Sequence, residues 1–86
     1  MRASHILVDT LEQAQSILAE ANGLNFGSLA QAHSKCPSKA RGGDLGDFGP
    51  GQMVKPFEDA TVATPVGSIS QPVQTQFGWH LIHRTA

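Results

Sequence analysis

Hydrophobic residues recur along the chain with two spacings, which separate strands from helices. Apolar and β-branched residues dominate positions 3–8 and predict a buried strand. After it, apolar positions recur at helical intervals, which predicts a helix from Thr10 to Gly23 with Gln13 in capping-box position. Asn25 can then cap a second amphipathic helix.

The second half of the chain combines a long loop with shorter elements. Prolines, glycines and basic residues fill positions 34–51, where only 44–48 offers a short strand. Such a loop in a small domain is usually functional or disordered, and its apolar residues argue for function. Pro56 indicates a short third helix, 69–73 a short edge strand and 77–84 a last strand. This β-α-α-loop-β-α-β-β order predicts an α+β domain with one mixed sheet.

Length and composition fit one globular domain. The chain has 86 residues, of which 40% are hydrophobic and 15% charged. Six Lys and Arg oppose seven Asp and Glu without forming a basic run, which gives no support to nucleic-acid binding. No apolar stretch approaches the roughly 20 residues of a membrane span, and no targeting segment precedes the first strand. We therefore expect a single domain over residues 1–86, in a cytoplasmic, monomeric protein without a membrane partner.

Two histidines and a cysteine stand out against this background. His5 lies in the first predicted strand and His80 in the last, at central positions that a small core normally fills with apolar side chains. The two imidazoles can meet if these strands pair side by side. The only cysteine, Cys36, lies between them in the loop, just before the glycine-rich segment 41–46. The combination indicates an assembled site.

Five motifs, in order and with matching gaps, resemble those of a known family. They are Ser4-His5-Ile6-Leu7-Val8, Cys36-Pro37-Ser38, Gly42-Gly43-Asp44-Leu45-Gly46, Gly51-Gln52-Met53-Val54-Lys55-Pro56-Phe57-Glu58 and Thr75-Gln76-Phe77-Gly78-Trp79-His80-Leu81-Ile82. Together they resemble the parvulin peptidyl-prolyl cis-trans isomerases, specifically the small free-standing bacterial or archaeal members. The resemblance covers essentially the whole chain. It implies a parvulin-like, FKBP-like superfold with a four-stranded mixed, largely antiparallel sheet surrounded by three or four short helices.

The resemblance also implies roles for individual residues. His5 and His80 match the paired histidines of the parvulin site. Thr75 matches a hydroxyl residue hydrogen-bonded to that pair, and Cys36 matches the family's cysteine. The apolar cup that receives the substrate proline ring is matched by Leu45, Met53, Phe57 and Phe77. No cofactor is implied.

The chemistry of prolyl isomerisation calls for such residues. Rotation about an X-Pro bond crosses a barrier of ~18–20 kcal/mol and unaided takes tens to hundreds of seconds. A useful site grips the proline ring, removes water from the carbonyl and offers hydrogen bonds that fit the twisted amide best. We expect a folding helper that isomerises X-Pro bonds in unfolded or flexible chains without covalent chemistry. Nucleophilic attack by Cys36 is the alternative, but family members with Asp at that position argue against it.

Other functions of the same residues stay open. A non-catalytic chaperone or binding module would use the apolar cup to hold extended proline-containing segments. A redox-sensing role for Cys36 is a third, weaker alternative. Zinc binding by His5, Cys36 and His80 has little support, because their spacing matches no recurrent zinc pattern and no fourth ligand is evident.

The residues near the expected site also bear on specificity. Residues 9–13 are short and acidic where phosphate-selective parvulins carry a basic loop, so phosphate selectivity is not expected. An uncharged or apolar residue before proline is expected instead, and Phe77 fits a more apolar cup. Acidic residues near the proline, attracted by Lys35, Lys39 and Arg41, are the weaker alternative.

Overall fold

The computed structural model describes residues 1–86 and contains the predicted order of elements. The strands are β1 (Arg2–Val8), β2 (Asp44–Asp47), β3 (Val73–Thr75) and β4 (Gly78–Arg84). The helices are α1 (Leu11–Glu20), α2 (Phe26–His33) and α3 (Lys55–Ala63). A 3₁₀ helix over Pro37–Arg41, which the sequence pattern did not predict, lies within the long loop. No helix is long and apolar enough to cross a membrane.

The four strands form one sheet in the order β2-β1-β4-β3. The α+β fold is confirmed, but all three strand pairs are antiparallel, so the sheet is not mixed as expected. The first and last strands form the central pair. Because the helical connection from β1 returns to the neighbouring β2 in the opposite direction, no parallel pair arises.

The expected edge strand over 69–73 is shorter and lies later in the chain. The structure places β3 at the sheet edge, but this strand begins at Val73, just after Pro72. Before it, Ile69 makes only an isolated bridge to His83. The Ser70 side chain interrupts regular pairing there, since its Oγ accepts the backbone N–H of Ile82 at 3.1 Å.

Alternate side chains of the central strands enter two separate apolar clusters. The first lies between the sheet and helices α1 and α2, and is built from Ile6, Val8, Ala14, Ile17, Phe26, Ala30 and Leu81. Trp79 packs against it, on the opposite side of β4 from His80. The second lies on the α3 side and consists of Ala3, Phe48, Phe57 and Ile82.

The helix starts differ in how far local sequence decides them. The predicted capping box of α1 is present: Thr10 Oγ1 accepts the Gln13 N–H, and Gln13 Oε1 accepts the Thr10 N–H, each at 3.2 Å. The helix ends at Glu20, however, before Gly23. Asn25 precedes α2 without capping it, because its side-chain Oδ1 accepts the backbone N–H of Asn22 at 2.7 Å instead.

Candidate functional site

His5 and His80 meet on one face of the central strand pair. In the β1–β4 register His5 lies opposite Ile82 and Leu7 opposite His80, which makes the two histidines diagonal neighbours. Their Nδ1 atoms lie 3.0 Å apart, within hydrogen-bond distance, and their rings stack with 5.2 Å between centroids. Both are buried, at 5% and 4% exposure. The expected pairing of the two imidazoles is therefore present.

Thr75 extends the pair into a chain of hydrogen bonds. Its Oγ1 lies 2.7 Å from His80 Nε2 and also accepts the backbone N–H of Phe77 at 3.2 Å. If the hydroxyl donates its single hydrogen to His80 Nε2, neutral His80 donates from Nδ1 to His5 Nδ1. Neutral His5 then carries its proton on Nε2, an atom that is buried without a hydrogen-bond partner. This assignment uses every hydrogen-bonding group except that last one.

The surroundings of the pair keep both imidazoles neutral. Burial lowers the pKa of His5 to about 4, and repulsion from His80 adds to the effect. Burial likewise lowers the pKa of His80 to about 4. The Phe57 ring meets both imidazoles edge to face, with centroid distances of 5.5 and 5.2 Å. The pair can therefore exchange hydrogen bonds at neutral pH without placing a charge beside a bound peptide.

A largely apolar cavity of about 500 Å³ lies over the histidine pair. Its size falls within the usual range of small-ligand sites. The predicted site residues that line it are His5, Cys36, Leu45, Met53, Phe57, Phe77 and His80. Thr75 does not line it but contacts His80. The structure thus brings the predicted residues to one place.

The apolar lining residues differ in exposure. Met53 lies in the loop before α3 and is half-buried, as the interruption by Gly51 and Pro56 led us to expect. Phe57 lies on α3 and is only 3% exposed, so it belongs to the core as well as to the cavity wall. Phe77 is 60% exposed and forms part of the mouth.

Cys36 lines the cavity but stands outside the hydrogen-bond chain. Its thiol is half-buried and forms no hydrogen bond, so the expected Cys–His–His–Thr network is not continuous. Both Nδ1 atoms bond to each other, and His80 Nε2 bonds to Thr75. The remaining ring nitrogen, His5 Nε2, is buried and has no hydrogen-bond partner, so no imidazole nitrogen is left to meet the Cys36 thiol. No three His, Cys, Asp or Glu side chains lie close enough together to hold a metal ion.

The glycine-rich segment holds the loop against β1 beside His5. Gly43 accepts the backbone N–H of His5 and donates its own N–H to the carbonyl of Ser38, both at 2.9 Å. Its φ is +82°, and a Cβ there would lie 2.3 Å from the His5 carbonyl oxygen. Only glycine satisfies both conditions, so Gly43 fixes the position of the 3₁₀ helix relative to the histidine pair.

Other cavity residues were missed at the level of sequence. Leu7 lies two residues after His5, so strand alternation places it on the same face and was a usable signal. Val54 adjoins Met53, but nothing local indicates its direction. Gln52 also lines the cavity, and no periodic pattern covers its loop. Lys35 lines it as well, and the sequence had indicated Lys35 only as one of three basic residues that could attract acidic residues near the proline.

The fold and the site together define a small proline-isomerase domain of the parvulin type. A family model described as "Rotamase: PPIC-type PPIASE domain" matches residues 5–86. The chain belongs to this family, which confirms the family that the sequence motifs predicted.

Individual relatives agree with this assignment. Over 79 residues the chain is 52% identical to the peptidyl-prolyl cis-trans isomerase Pin1 of Digitalis lanata, covering 90% of this chain and 67% of that protein. It is 48% identical to the foldase protein PrsA of Geobacillus over 99% of its length, but spans only 32% of that relative. The solution structure of NmPin, the parvuline of Nitrosopumilus maritimus, superposes with a TM-score of 0.88 at 41% identity, covering 100% of this chain and 95% of NmPin.

Proposed function

We propose that this domain accelerates rotation about X-Pro bonds in unfolded or flexible chains without forming a covalent bond to them. One observation carries the proposal: a buried, neutral, mutually hydrogen-bonded histidine pair lies at the wall of an apolar cavity. A cavity that only bound peptide would need the apolar lining and not the buried polar chain behind it. Relatives named isomerase and foldase support the same activity.

The first part of the proposed mechanism is removal of water from the amide. The proline ring enters the cavity against Met53 and Phe57, and Phe77 covers its open side. In this apolar setting the planar, charge-separated amide loses solvation, and twisting the bond reduces that charge separation. A barrier lower by about 7 kcal/mol would bring turnover to hundreds per second or faster.

The second part is hydrogen bonding that favours the twisted amide. The hydrogen-bond chain from Thr75 through His80 to His5 holds two neutral imidazoles in fixed positions at the cavity wall. Their fixed dipoles can thereby interact with the amide as the bond rotates. Because the pair carries no charge, a rigid ion does not stabilise the planar ground state.

In this proposal Cys36 offers a hydrogen bond to the bound peptide and does not attack its carbonyl. A thiol nucleophile requires an adjacent base, and no histidine nitrogen is hydrogen-bonded to Cys36. We therefore expect Cys36→Ser to keep most of the activity and Cys36→Ala to lower the turnover number while binding is retained. Loss of activity in Cys36→Ser, together with trapping of a thiol adduct on Cys36 in the wild-type protein, would contradict the non-covalent mechanism.

Clients in this proposal are proline-containing segments of unfolded or flexible proteins. The cavity opens to solvent beside the exposed ring of Phe77, which allows an extended chain to enter and leave. We also propose a cytoplasmic, monomeric protein. Its lone cysteine does not require an oxidising compartment for folding. Cell fractionation and light scattering test these two points.

Proline-limited refolding of a test protein measures the function directly. The isomerase proposal predicts a shorter slow phase at catalytic amounts of the domain, and a smaller effect with Cys36→Ala at equal peptide affinity. A chaperone without catalysis would change the refolding yield and leave the slow rate constant unaltered. That outcome would support the binding-module alternative.

A further inference from the structure

Lys35 is the only Lys, Arg, Asp or Glu residue that lines the cavity. Its ammonium group forms an ion pair with the carboxylate of Asp9. The two opposite charges leave the pair with no net charge. Both side chains stay accessible, at 54% and 59% exposure. A positive charge at the cavity is thus held by the protein's own carboxylate.

Backbone contacts fix this ion pair next to the histidine strand. The N–H of Lys35 donates to the carbonyl of Leu7 at 2.8 Å, and Leu7 itself lines the cavity. Asp9 directly follows the end of β1. The pair therefore has a defined place beside Cys36.

We infer that the Asp9–Lys35 pair determines charge selectivity for the residue before proline. With Asp9 in place, the positive charge of Lys35 is compensated and uncharged residues are favoured. A glutamate or aspartate before proline competes with Asp9 for Lys35 and binds better once Asp9 is neutralised. This inference rests on the proposed isomerase function, because it concerns the substrate of the same site.

The position before proline follows from the arrangement of the cavity. The proposed function places the proline ring against Met53 and Phe57, which pack in one apolar cluster, and Lys35 adjoins Cys36 in the chain. The rotating bond links the proline nitrogen to the carbonyl of the preceding residue. When that carbonyl faces Cys36 and the histidine pair, the preceding residue is the one nearest Lys35.

Exchange of one carboxylate for another at this pair is energetically accessible. Exposed ion pairs contribute little net stability, because water screens them and side-chain ordering opposes them. A substrate carboxylate can therefore replace Asp9 without large loss. The same weakness limits the expected selectivity to roughly two- to fivefold.

The experiment compares Glu-Pro, Leu-Pro and Lys-Pro peptides that differ only before proline. Asp9→Asn should raise the ratio of kcat/KM for Glu-Pro over Leu-Pro by about two- to fivefold. It should lower the ratio of kcat/KM for Lys-Pro over Leu-Pro by a similar factor. The double variant Asp9→Asn/Lys35→Gln should lose both changes. Asp59→Asn is the matched control, because it frees the exposed Lys55 on α3, which does not line the cavity.

The results separate this inference from the proposed function. If wild-type protein accelerates none of the three peptides, the proposed function fails. If it accelerates them but Asp9→Asn alters the Glu-Pro and Lys-Pro ratios in the same direction, or no more than Asp59→Asn does, the inference is overturned.

Discussion

The two faces of the central strand pair are built for different purposes from alternating residues of the same strands. On the α1 and α2 face, Ile6 and Leu81 are fully buried in a cluster of apolar side chains. On the α3 face, His5 and His80 take the corresponding inward positions beneath an open cavity. The first face buries apolar side chains. The second face buries fewer of them, because it carries the hydrogen-bonded histidines and the open cavity.

The two faces together explain how so small a domain holds a buried polar site. The buried histidines have low pKa values and one unpartnered nitrogen, which oppose folding on their own. Because β1 and β4 are shared, the apolar face can hold the strands in the register that brings the imidazoles together. Stability and activity should therefore respond separately to substitutions on the two faces.

The largest expected effect is on the apolar face. Leu81→Ala removes a fully buried side chain and should lower the free energy of unfolding by about 2–5 kcal/mol. The kcat/KM of the folded fraction should change little, since Leu81 lies on the opposite side of β4 from the cavity. Urea unfolding and peptide exchange measure the two quantities. Leu24→Ala is the control, because Leu24 is 98% exposed.

The second largest effect is expected on the α3 face, where acidification should lower stability because the buried histidines bind protons on unfolding. The pKa of each buried histidine is about 4, below its ordinary value of 6.5, so the unfolded chain binds more protons between these pH values. The free energy of unfolding is therefore highest above pH 6.5 and decreases as the pH falls toward 4. Between pH 7 and 5 the decrease is roughly 2 kcal/mol per imidazole. Isomerase activity should stay level in that interval while the protein is folded.

The pH effect has a matched pair of variants. Urea unfolding at pH 7 and 5 should show a smaller change for His80→Gln than for wild type, and an unaltered change for the exposed His33→Gln. Equal pH dependence in all three proteins would show that the buried pair is not the source.

A smaller effect is expected at the cavity wall. Met53→Ala should raise KM by roughly three- to tenfold with kcat nearly unchanged, because the half of this side chain that stays exposed in the free protein can contribute about half of the ~1.5–3 kcal/mol of full burial. Steady-state isomerisation of a Leu-Pro peptide measures both constants. Val62→Ala, on an exposed part of α3, should leave them as they are. A fall in kcat alone would assign Met53 a different role.

The smallest effect concerns the outer end of the polar chain. Thr75→Val keeps the shape of the side chain and removes the hydrogen bond to His80 Nε2. One neutral hydrogen bond is worth about 0.5–1.5 kcal/mol, so kcat should fall roughly two- to tenfold with KM retained. A change of the same size in KM alone would show that Thr75 affects only binding.

The sequence was a good guide wherever local chemistry decides structure. The capping box of Thr10 and Gln13 and the alternation around His5 and His80 are both present as predicted. The resemblance to family motifs identified further cavity residues such as Met53, which lies in a loop where no hydrophobic periodicity could have indicated it. The expected end of α1 at Gly23 was wrong, since the helix ends at Glu20, and the requirement for glycine at position 43 beside His5 was not predicted.

The remaining features depend on contacts between distant segments. The 3₁₀ helix is too short to show a period, and its position comes from Gly43 and β1. The separation of Cys36 from the histidine chain follows from how the imidazoles use their nitrogens, which spacing cannot reveal. The Asp9–Lys35 pair likewise joins the end of β1 to a loop residue far along the chain.

Exchange NMR spectroscopy on a Leu-Pro peptide measures directly whether the domain accelerates rotation about the X-Pro bond. With catalytic amounts of the wild-type domain, cis and trans proline signals should interconvert at hundreds of events per second or faster for each bound molecule, against tens to hundreds of seconds unaided. An unchanged exchange rate at stoichiometric protein, with peptide binding demonstrated in the same sample, would contradict the account.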